Sequence, residues 1–161
     1  MAETFATAGS AVQPDNPDRA FIQHTLTAGV HNVALEMNPA LAWLGATLLG
    51  GSKGALSIGF TAPSESVQGN GVVSGGALAS MLDLAMALAL LSRLSHGRTC
   101  ATISLTVNML EPGHVGKFAV EARVKRLGGR IAFLEADLYD GARARYVANA
   151  TASFAIFDVR S

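Results

Sequence analysis

Residues Gln68 to Leu91 read QGNGVVSGGALASMLDLAMALALL, and the rest of the predicted fold is arranged around them. A glycine-rich turn leads into a run of Ala, Leu and Met in which Asp83 is the only ionisable side chain. A helix that is apolar on all sides is buried in protein or crosses a membrane, and the uncharged run after Asp83 is shorter than the roughly 20 residues that a crossing needs. We therefore predict a buried central helix, with Gly97 as the signal for its C-terminal end.

Helical and strand segments are predicted before this central helix. The stretch that begins at Asp18 has roughly helical spacing of apolar residues, and Asp18 is the predicted N-terminal cap. Pro39 suits the first turn of a short helix around ALAWL. The glycines of LLGGSKGA predict a turn between two strands, the second of which covers Ala55 to Ala62.

An antiparallel meander is predicted after the central helix. Polar and apolar residues alternate from Cys100 to Leu110, as in a half-buried strand. Gly128-Gly129 predicts a hairpin between a strand at 117–127 and a strand at 130–139, and a last strand is expected at 144–157. An antiparallel sheet wrapped around one long central helix buries that helix most simply, so we predict an α+β fold.

Composition limits the partners of the chain. It has 161 residues and a formal net charge of zero, which argues against a nucleic-acid or anionic-membrane partner. Half of the residues are hydrophobic and only 15% are charged, so we expect a further subunit to cover part of the apolar surface. With one cysteine and no Cys/His cluster of metal-site spacing, we predict a cytoplasmic protein without a metal site.

The N-terminal segment is predicted to lie outside the folded unit. Residues 1–17 contain acidic Glu3 and no continuous apolar run, so they do not resemble a signal peptide. We expect them to form a mobile tail, followed by a single domain over residues 18–161.

The start of the central helix offers a chemical function. If the helix begins at Gly75 and Gly76, with Ser74 as its cap, its first amides have no partner inside the helix and can polarise a carbonyl. Asp83 lies seven residues beyond Gly76 and returns to the same face about 10 Å further along the axis. A site that uses both groups on one bond therefore needs two copies of the chain. The alternative is that Asp83 is a buried polar residue satisfied by backbone groups.

Four runs carry a resemblance to a known family, namely GGALASMLDLAMALAL, TISLTVNMLEPG, RLGGRIAFLEADLYD and ANATASFAIF. In this order they resemble the hotdog-fold acyl-CoA thioesterases of the PaaI and 4-hydroxybenzoyl-CoA thioesterase group, over about residues 40 to 157. The resemblance implies a hotdog fold with an extra N-terminal helical segment. It also implies hydrolysis of an aryl- or medium-chain acyl-CoA by a homodimer or, as the favoured state, a homotetramer, without a cofactor beyond the coenzyme A of the substrate.

The family motif can be matched residue by residue. Gly75 and Gly76 match the two glycines at the helix start, Asp83 matches the catalytic acid and Gln68 matches the amide before it, while Ser74 stands where His is common. The resemblance implies that Asp83 is the nucleophile or general base, that the Gly75 amide polarises the thioester carbonyl across a dimer interface, and that Gln68 orients the substrate.

Further roles also follow from the resemblance. Thr102 occupies the place of a strand hydroxyl that orients the acid in one branch of the family. Ser74 and Gly76 are implied to contact the substrate, and Arg126 and Arg130, which flank the hairpin, to meet the phosphates of coenzyme A.

Ser74 in place of the common His also motivates a second hypothesis, a non-catalytic acyl-CoA or lipid-binding hotdog protein. A hotdog dehydratase or hydratase is disfavoured, because the His-containing motifs of those enzymes are not found in the sequence. Cys100 is disfavoured as a nucleophile because no His stands with it in a matching motif.

Overall fold

The computed structural model of the chain describes residues 13–141 and 143–160. Within them the α-helices are α1 (Pro17–Ala28), α2 (Pro39–Trp43) and α3 (Gly75–Leu91). The strands are β1 (Val33–Ala34), β2 (Thr47–Ser52), β3 (Ala55–Thr61), β4 (Arg98–Met109), β5 (Lys117–Leu127), β6 (Ile131–Asp140) and β7 (Arg145–Asp158).

The strands form one antiparallel sheet in the order β1-β2-β3-β5-β6-β7-β4. The predicted meander is present, because β5, β6 and β7 are consecutive neighbours joined by the turns at Gly128-Gly129 and at Gly141. α3 contacts β3, β4, β5, β6 and β7, so the sheet curves around it. The predicted α+β architecture is confirmed.

The hydrophobic core lies between α3 and the concave face of the sheet. Met81, Leu82 and Met86 of α3 are fully buried, together with strand residues such as Ile58 and Leu138. Full burial of each such side chain contributes roughly 1.5–3 kcal/mol. No helix of the described residues is long and apolar enough to cross a membrane.

One side of α3 is not covered by the chain itself. Gly76 and Ser80 are exposed, and Asp83 and Ala87 are half-buried, whereas the opposite side of the helix is fully packed. These residues are three or four apart and therefore form one stripe along the helix. The expectation that α3 is buried all round is wrong for this stripe in the single chain.

The predicted end of the central helix is also wrong, because α3 stops at Leu91, before Gly97. The buried Ser92 hydroxyl donates to Ala89 O at 2.7 Å and accepts from Gly54 N at 2.8 Å. These bonds join the last turn of the helix to the β2–β3 hairpin. Gly97, with φ of 78°, lies in the turn that leads into β4.

α1 begins slightly earlier than predicted. Asn16, and not Asp18, caps the helix, since the Asn16 side chain accepts a hydrogen bond from Arg19 N at 3.0 Å. Asn16 Nδ2 also donates to Thr99 Oγ1 at 2.7 Å, which ties the segment before α1 to the start of β4. Residues 1–12 of the predicted tail lie outside the described residues, and the boundary at residue 17 stays a prediction.

β4 differs from the predicted half-buried strand in its exposure. It lies at the end of the sheet and pairs with β7 alone. Most of its side chains are exposed, and Ile103 retains 57% of its accessible surface. A strand at the edge of a sheet presents unpaired backbone donors and acceptors along its free side.

Candidate active site

Asp83 and Thr102 form the first part of the site. Asp83 lies in the middle of α3 on the uncovered stripe, and Thr102 Oγ1 donates a hydrogen bond to Asp83 Oδ1 at 2.8 Å. Asp83 Oδ2 accepts no hydrogen bond from the described residues. The carboxylate is thus held by a side-chain hydroxyl. The alternative, a buried polar residue, had required backbone groups as its partners.

A β-bulge in β4 aims Thr102 at the helix. The pairing of β4 with β7 shifts between Thr102 and Ser104, which leaves Ile103 as the extra residue. Thr102 lies opposite buried Phe154 and therefore on the side of the sheet that packs on α3. The strict alternation in the sequence would have placed Thr102 with Ser104 on the other face.

The N-terminus of α3 forms the second part of the site. Ser74 caps the helix, because its hydroxyl accepts a hydrogen bond from Ala77 N at 3.3 Å. Gly75 and Gly76 are exposed, and within the described residues their amides donate to no acceptor. Two free amides at the positive end of a 17-residue helix make a site for an oxyanion or a polarised carbonyl.

These two parts are separated along the helix. Gly75 and Asp83 are eight residues apart, which corresponds to about 12 Å at 1.5 Å per residue. A thioester carbonyl that accepts from the Gly75 amide is therefore out of reach of Asp83 in the same chain.

An open cleft of about 370 Å³ lies beside the N-terminus of α3. Gln68, Gly75, Leu78 and Met109 are among the residues that line it. The structure thus brings the predicted residues Gln68 and Gly75 together, and it places Asp83 with Thr102 outside this cleft.

Backbone hydrogen bonds fix the wall of the cleft. Val73 N donates to Gly113 O at 2.9 Å, and Ser74 N donates to Ser66 O at 2.8 Å. Gln68 N donates to Val72 O at 2.9 Å, so that Gln68 lies on a closed turn directly before the helix. This turn determines the position of Gln68 relative to the free amides.

The two predicted phosphate-binding residues lie apart from the cleft. Arg126 and Arg130 are exposed at the β5–β6 hairpin, and neither lines the cleft. Ala132 of β6 is opposite Phe154 of β7, which is opposite Thr102. Because neighbouring strands are about 4.8 Å apart, the hairpin lies roughly 10 Å from Thr102 across the sheet. Their contact with a phosphate stays a prediction.

Cys100 faces α3 from the same strand but is not activated. Burial, and to a smaller extent the negative charge of Asp83, raises the pKa of the Cys100 thiol to about 12. The thiol is therefore protonated at neutral pH and is a poor nucleophile.

A comparison with protein families finds that the thioesterase superfamily matches residues 70–146, a range that contains Gly75, Asp83 and Thr102. The chain is thus similar to the thioesterase superfamily over this range. This match, with the sheet wrapped around α3, confirms the predicted hotdog fold, the resemblance to the PaaI-like group and the prediction of a thioester hydrolase. Among curated proteins, none matches the sequence.

Several solved structures resemble this chain over most of its length. A putative thioesterase from Ralstonia eutropha JMP134, described as phenylacetic acid degradation-related, is 26% identical, with a TM-score of 0.71 over 84% of this chain and 98% of its own. The Escherichia coli PaaI protein is 19% identical, with a TM-score of 0.66 over 85% and 94%. A hypothetical thioesterase from Streptococcus pneumoniae TIGR4, solved with coenzyme A, is 19% identical, with a TM-score of 0.64 over 72% and 88%.

Proposed function

We propose that the chain hydrolyses the thioester of an aryl- or medium-chain acyl-CoA, with Asp83 as the nucleophile or general base. The observation that carries this proposal is the hydrogen bond from Thr102 to Asp83, on a helix whose N-terminal amides are free. Coenzyme A as the carrier is supported by the S. pneumoniae thioesterase of the same fold, which was solved with it.

In the general-base route, Asp83 takes a proton from water while the water oxygen attacks the thioester carbonyl carbon. The C–S bond then breaks and releases the carboxylic acid product. The proton held by Asp83 goes to the thiolate of coenzyme A. In the nucleophilic route, the Asp83 carboxylate attacks the carbonyl carbon itself, the C–S bond breaks and coenzyme A leaves as its thiolate. Water then hydrolyses the resulting mixed anhydride, which releases the acid and regenerates Asp83. In both routes the hydrogen bond from Thr102 fixes the orientation of the Asp83 carboxylate.

The Gly75 amide stabilises the oxyanion that forms on the carbonyl oxygen. Removal of one oxyanion donor of this kind lowers kcat by about 10²–10³-fold. Gln68, which shares the cleft with Gly75, orients the substrate, and Ser74 and Gly76 contact it at the helix start. Arg126 and Arg130 hold the phosphates of coenzyme A, since an arginine fork suits phosphate oxygens.

Because Gly75 and Asp83 are about 12 Å apart along α3, each complete site takes Asp83 from one subunit and Gly75 from another. The uncovered stripe of α3 and the exposed edge strand β4 supply a surface for that second subunit. A homodimer is the smallest assembly that satisfies this requirement, and a homotetramer of two such dimers is the expected state.

The proposal is tested by Asp83→Asn, which keeps the shape of the side chain and removes its charge. We expect release of free coenzyme A thiol from a panel of acyl-CoA esters to fall by about 10³-fold or more, with the circular dichroism spectrum and the oligomeric mass unchanged. Glu36→Gln is the matched control, because Glu36 is exposed and makes no hydrogen bond within the described residues.

Two outcomes would count against the proposal. Wild-type turnover by Asp83→Asn would remove Asp83 from the mechanism. Saturable binding of acyl-CoA by the wild-type chain without hydrolysis of any ester in the panel would favour the non-catalytic acyl-CoA or lipid-binding protein instead.

A further inference from the structure

Met109 lies directly over the N-terminus of α3. It is the last residue of β4, and a Cβ placed on Gly75 would be 3.6 Å from the methyl carbon of Met109. Met109 also lines the cleft and remains 44% exposed. Its side chain therefore borders both the Gly75 amide and the open space beside that amide.

The cleft has an apolar wall with one charge. Val72, Leu78, Leu110 and Pro112 line it beside Met109, and Glu111 is the one ionisable side chain among its described lining residues. A lining of this kind favours an uncharged, apolar group. A carboxylate at the end of an acyl chain would meet the like charge of Glu111 without a cation in the lining.

A basic residue near the rim does not change this charge balance. Arg145 Nη2 donates to Pro112 O at 2.8 Å, which brings its guanidinium to the edge of the cleft. The same guanidinium is paired with Asp140, since Arg145 Nε donates to Asp140 Oδ2 at 2.9 Å. Its charge is thereby balanced outside the cleft.

We infer that this cleft binds the acyl group of the substrate, that it selects uncharged acyl groups, and that Met109 sets the length it accepts. The inference rests on the proposed function, because the Gly75 amide has to bind the thioester carbonyl for the acyl group to enter here. In the sequence alone, Met109 is one of the apolar positions in the alternation from Cys100 to Leu110.

Met109 is the adaptable part of the wall, whereas its neighbours are fixed. Leu78 is buried and packs against Gly113, where an added Cβ would lie 3.1 Å from both Leu78 methyl carbons. The backbone N–H of Val73 donates a hydrogen bond to Gly113 O, which fixes this part of the wall. Methionine, in contrast, is unbranched and has three rotatable side-chain bonds, which suits a movable wall.

The test compares Met109→Ala, Met109→Phe and wild type on butanoyl-, hexanoyl-, octanoyl- and decanoyl-CoA, and on glutaryl-CoA as the carboxylate-bearing substrate. Met109→Ala removes the three outer heavy atoms of the side chain and makes room for about two more methylenes of the acyl chain. Burial of each methylene raises kcat/KM about fourfold. We expect the ratio of kcat/KM for octanoyl- to butanoyl-CoA to rise by about 10-fold in Met109→Ala and to fall in Met109→Phe. Glutaryl-CoA is expected to be a poor substrate for all three proteins.

A ratio between two substrates is unaffected by a loss of folded enzyme, so it separates selectivity from stability. Val115→Ala is the matched control, because Val115 is an exposed apolar residue that does not line the cleft. Unchanged ratios in both Met109 variants would overturn the role of Met109, and hydrolysis of glutaryl-CoA as fast as hexanoyl-CoA would overturn the selection against charge. A wild-type chain that hydrolyses none of the esters would instead contradict the proposed function.

Discussion

Thr102 is the residue whose removal isolates the positioning of Asp83. Thr102→Val keeps the branched shape and deletes the hydroxyl that donates to Asp83 at 2.8 Å. A hydrogen bond to a charged group contributes about 1.5–3 kcal/mol, so we expect kcat to fall by roughly 10- to 100-fold, with a smaller change in KM. Steady-state kinetics on the best acyl-CoA ester measures both constants.

Thr102→Ser is the matched control, since it retains the hydroxyl on the same strand. It should keep most of the wild-type kcat. A Thr102→Val enzyme with wild-type kcat would show that the hydroxyl has no part in the reaction.

At the residue scale, the sequence identified the groups but not their orientation. The spacing of Gly75 and Asp83 follows from the helical repeat, which depends on the local sequence alone. The direction of Thr102 depends on the bulge at Ile103, which arises from the pairing of β4 with β7. Alternation within one strand cannot predict such a shift in pairing. The contact of Met109 with Gly75 was missed for a similar reason, since it joins two elements that are distant in the chain.

At the scale of elements, α1 is attached to the last turn of α3 and the loop after it. Gln23 Nε2 donates to Leu91 O at 3.1 Å and to Leu94 O at 2.6 Å, and buried Arg19 donates to Leu94 O at 3.3 Å. These donors satisfy carbonyl groups at the negative end of the α3 dipole. Asp15 in turn pairs with Arg19 and accepts from Gly97 N at 3.0 Å.

This cluster predicts a pH dependence of stability. The side-chain hydrogen bond from Arg19 holds the pKa of Asp15 well below its usual value of 3.8. A carboxylate whose pKa is lower in the folded state stabilises the fold above its unfolded pKa, and that contribution is lost as pH falls through the folded pKa. We expect Asp15→Asn to lower Tm at pH 7 by about 5 °C, and the difference from wild type to shrink as pH falls below about 4.

Thermal unfolding followed by circular dichroism between pH 2 and pH 7 measures this effect. Glu36→Gln is again the control, since an exposed carboxylate without a partner should not change Tm at any pH. A difference between Asp15→Asn and wild type that stayed constant down to pH 2 would contradict the assigned pKa direction.

Local signals predicted the elements well where each signal lies inside the element. Pro39 does lie in the first turn of α2, and Gly128-Gly129 does join β5 to β6. The ends of α1 and α3 were misplaced because their caps depend on distant parts of the chain. At the end of α3, the Ser92 hydroxyl accepts a hydrogen bond from Gly54 N. At the start of α1, the capping residue Asn16 also donates a hydrogen bond to the Thr99 hydroxyl.

At the scale of the whole molecule, the single chain leaves a coherent surface uncovered. The stripe of α3 that carries Gly76, Ser80 and Asp83 lies on the same side as the free amides at the helix start. The exposed edge strand β4 adjoins this stripe at Thr102, which donates a hydrogen bond to Asp83. The apolar composition indicated such a surface, but its location required the order of the strands, which puts β4 at the edge.

The two-subunit site can be tested by combining two inactive variants. Asp83→Asn removes the acid. Gly75→Pro removes the amide proton and adds a pyrrolidine ring. The helix accepts this ring because proline is favoured at the first position of a helix, and Ser74, with φ of −61° and ψ of 145°, already has the backbone geometry that precedes proline. Gly75→Ala is the matched control, since it retains the amide.

The decisive measurement is the thioesterase activity of Asp83→Asn and Gly75→Pro chains co-expressed in equal amounts with different affinity tags and purified through both tags. In a mixed dimer, one site combines the intact Asp83 of one chain with the intact Gly75 of the other. Before any tag selection, random pairing should restore about a quarter of wild-type activity, and the doubly purified dimer about half. Activity of the mixed dimer no higher than that of either variant alone would contradict a site shared between two subunits.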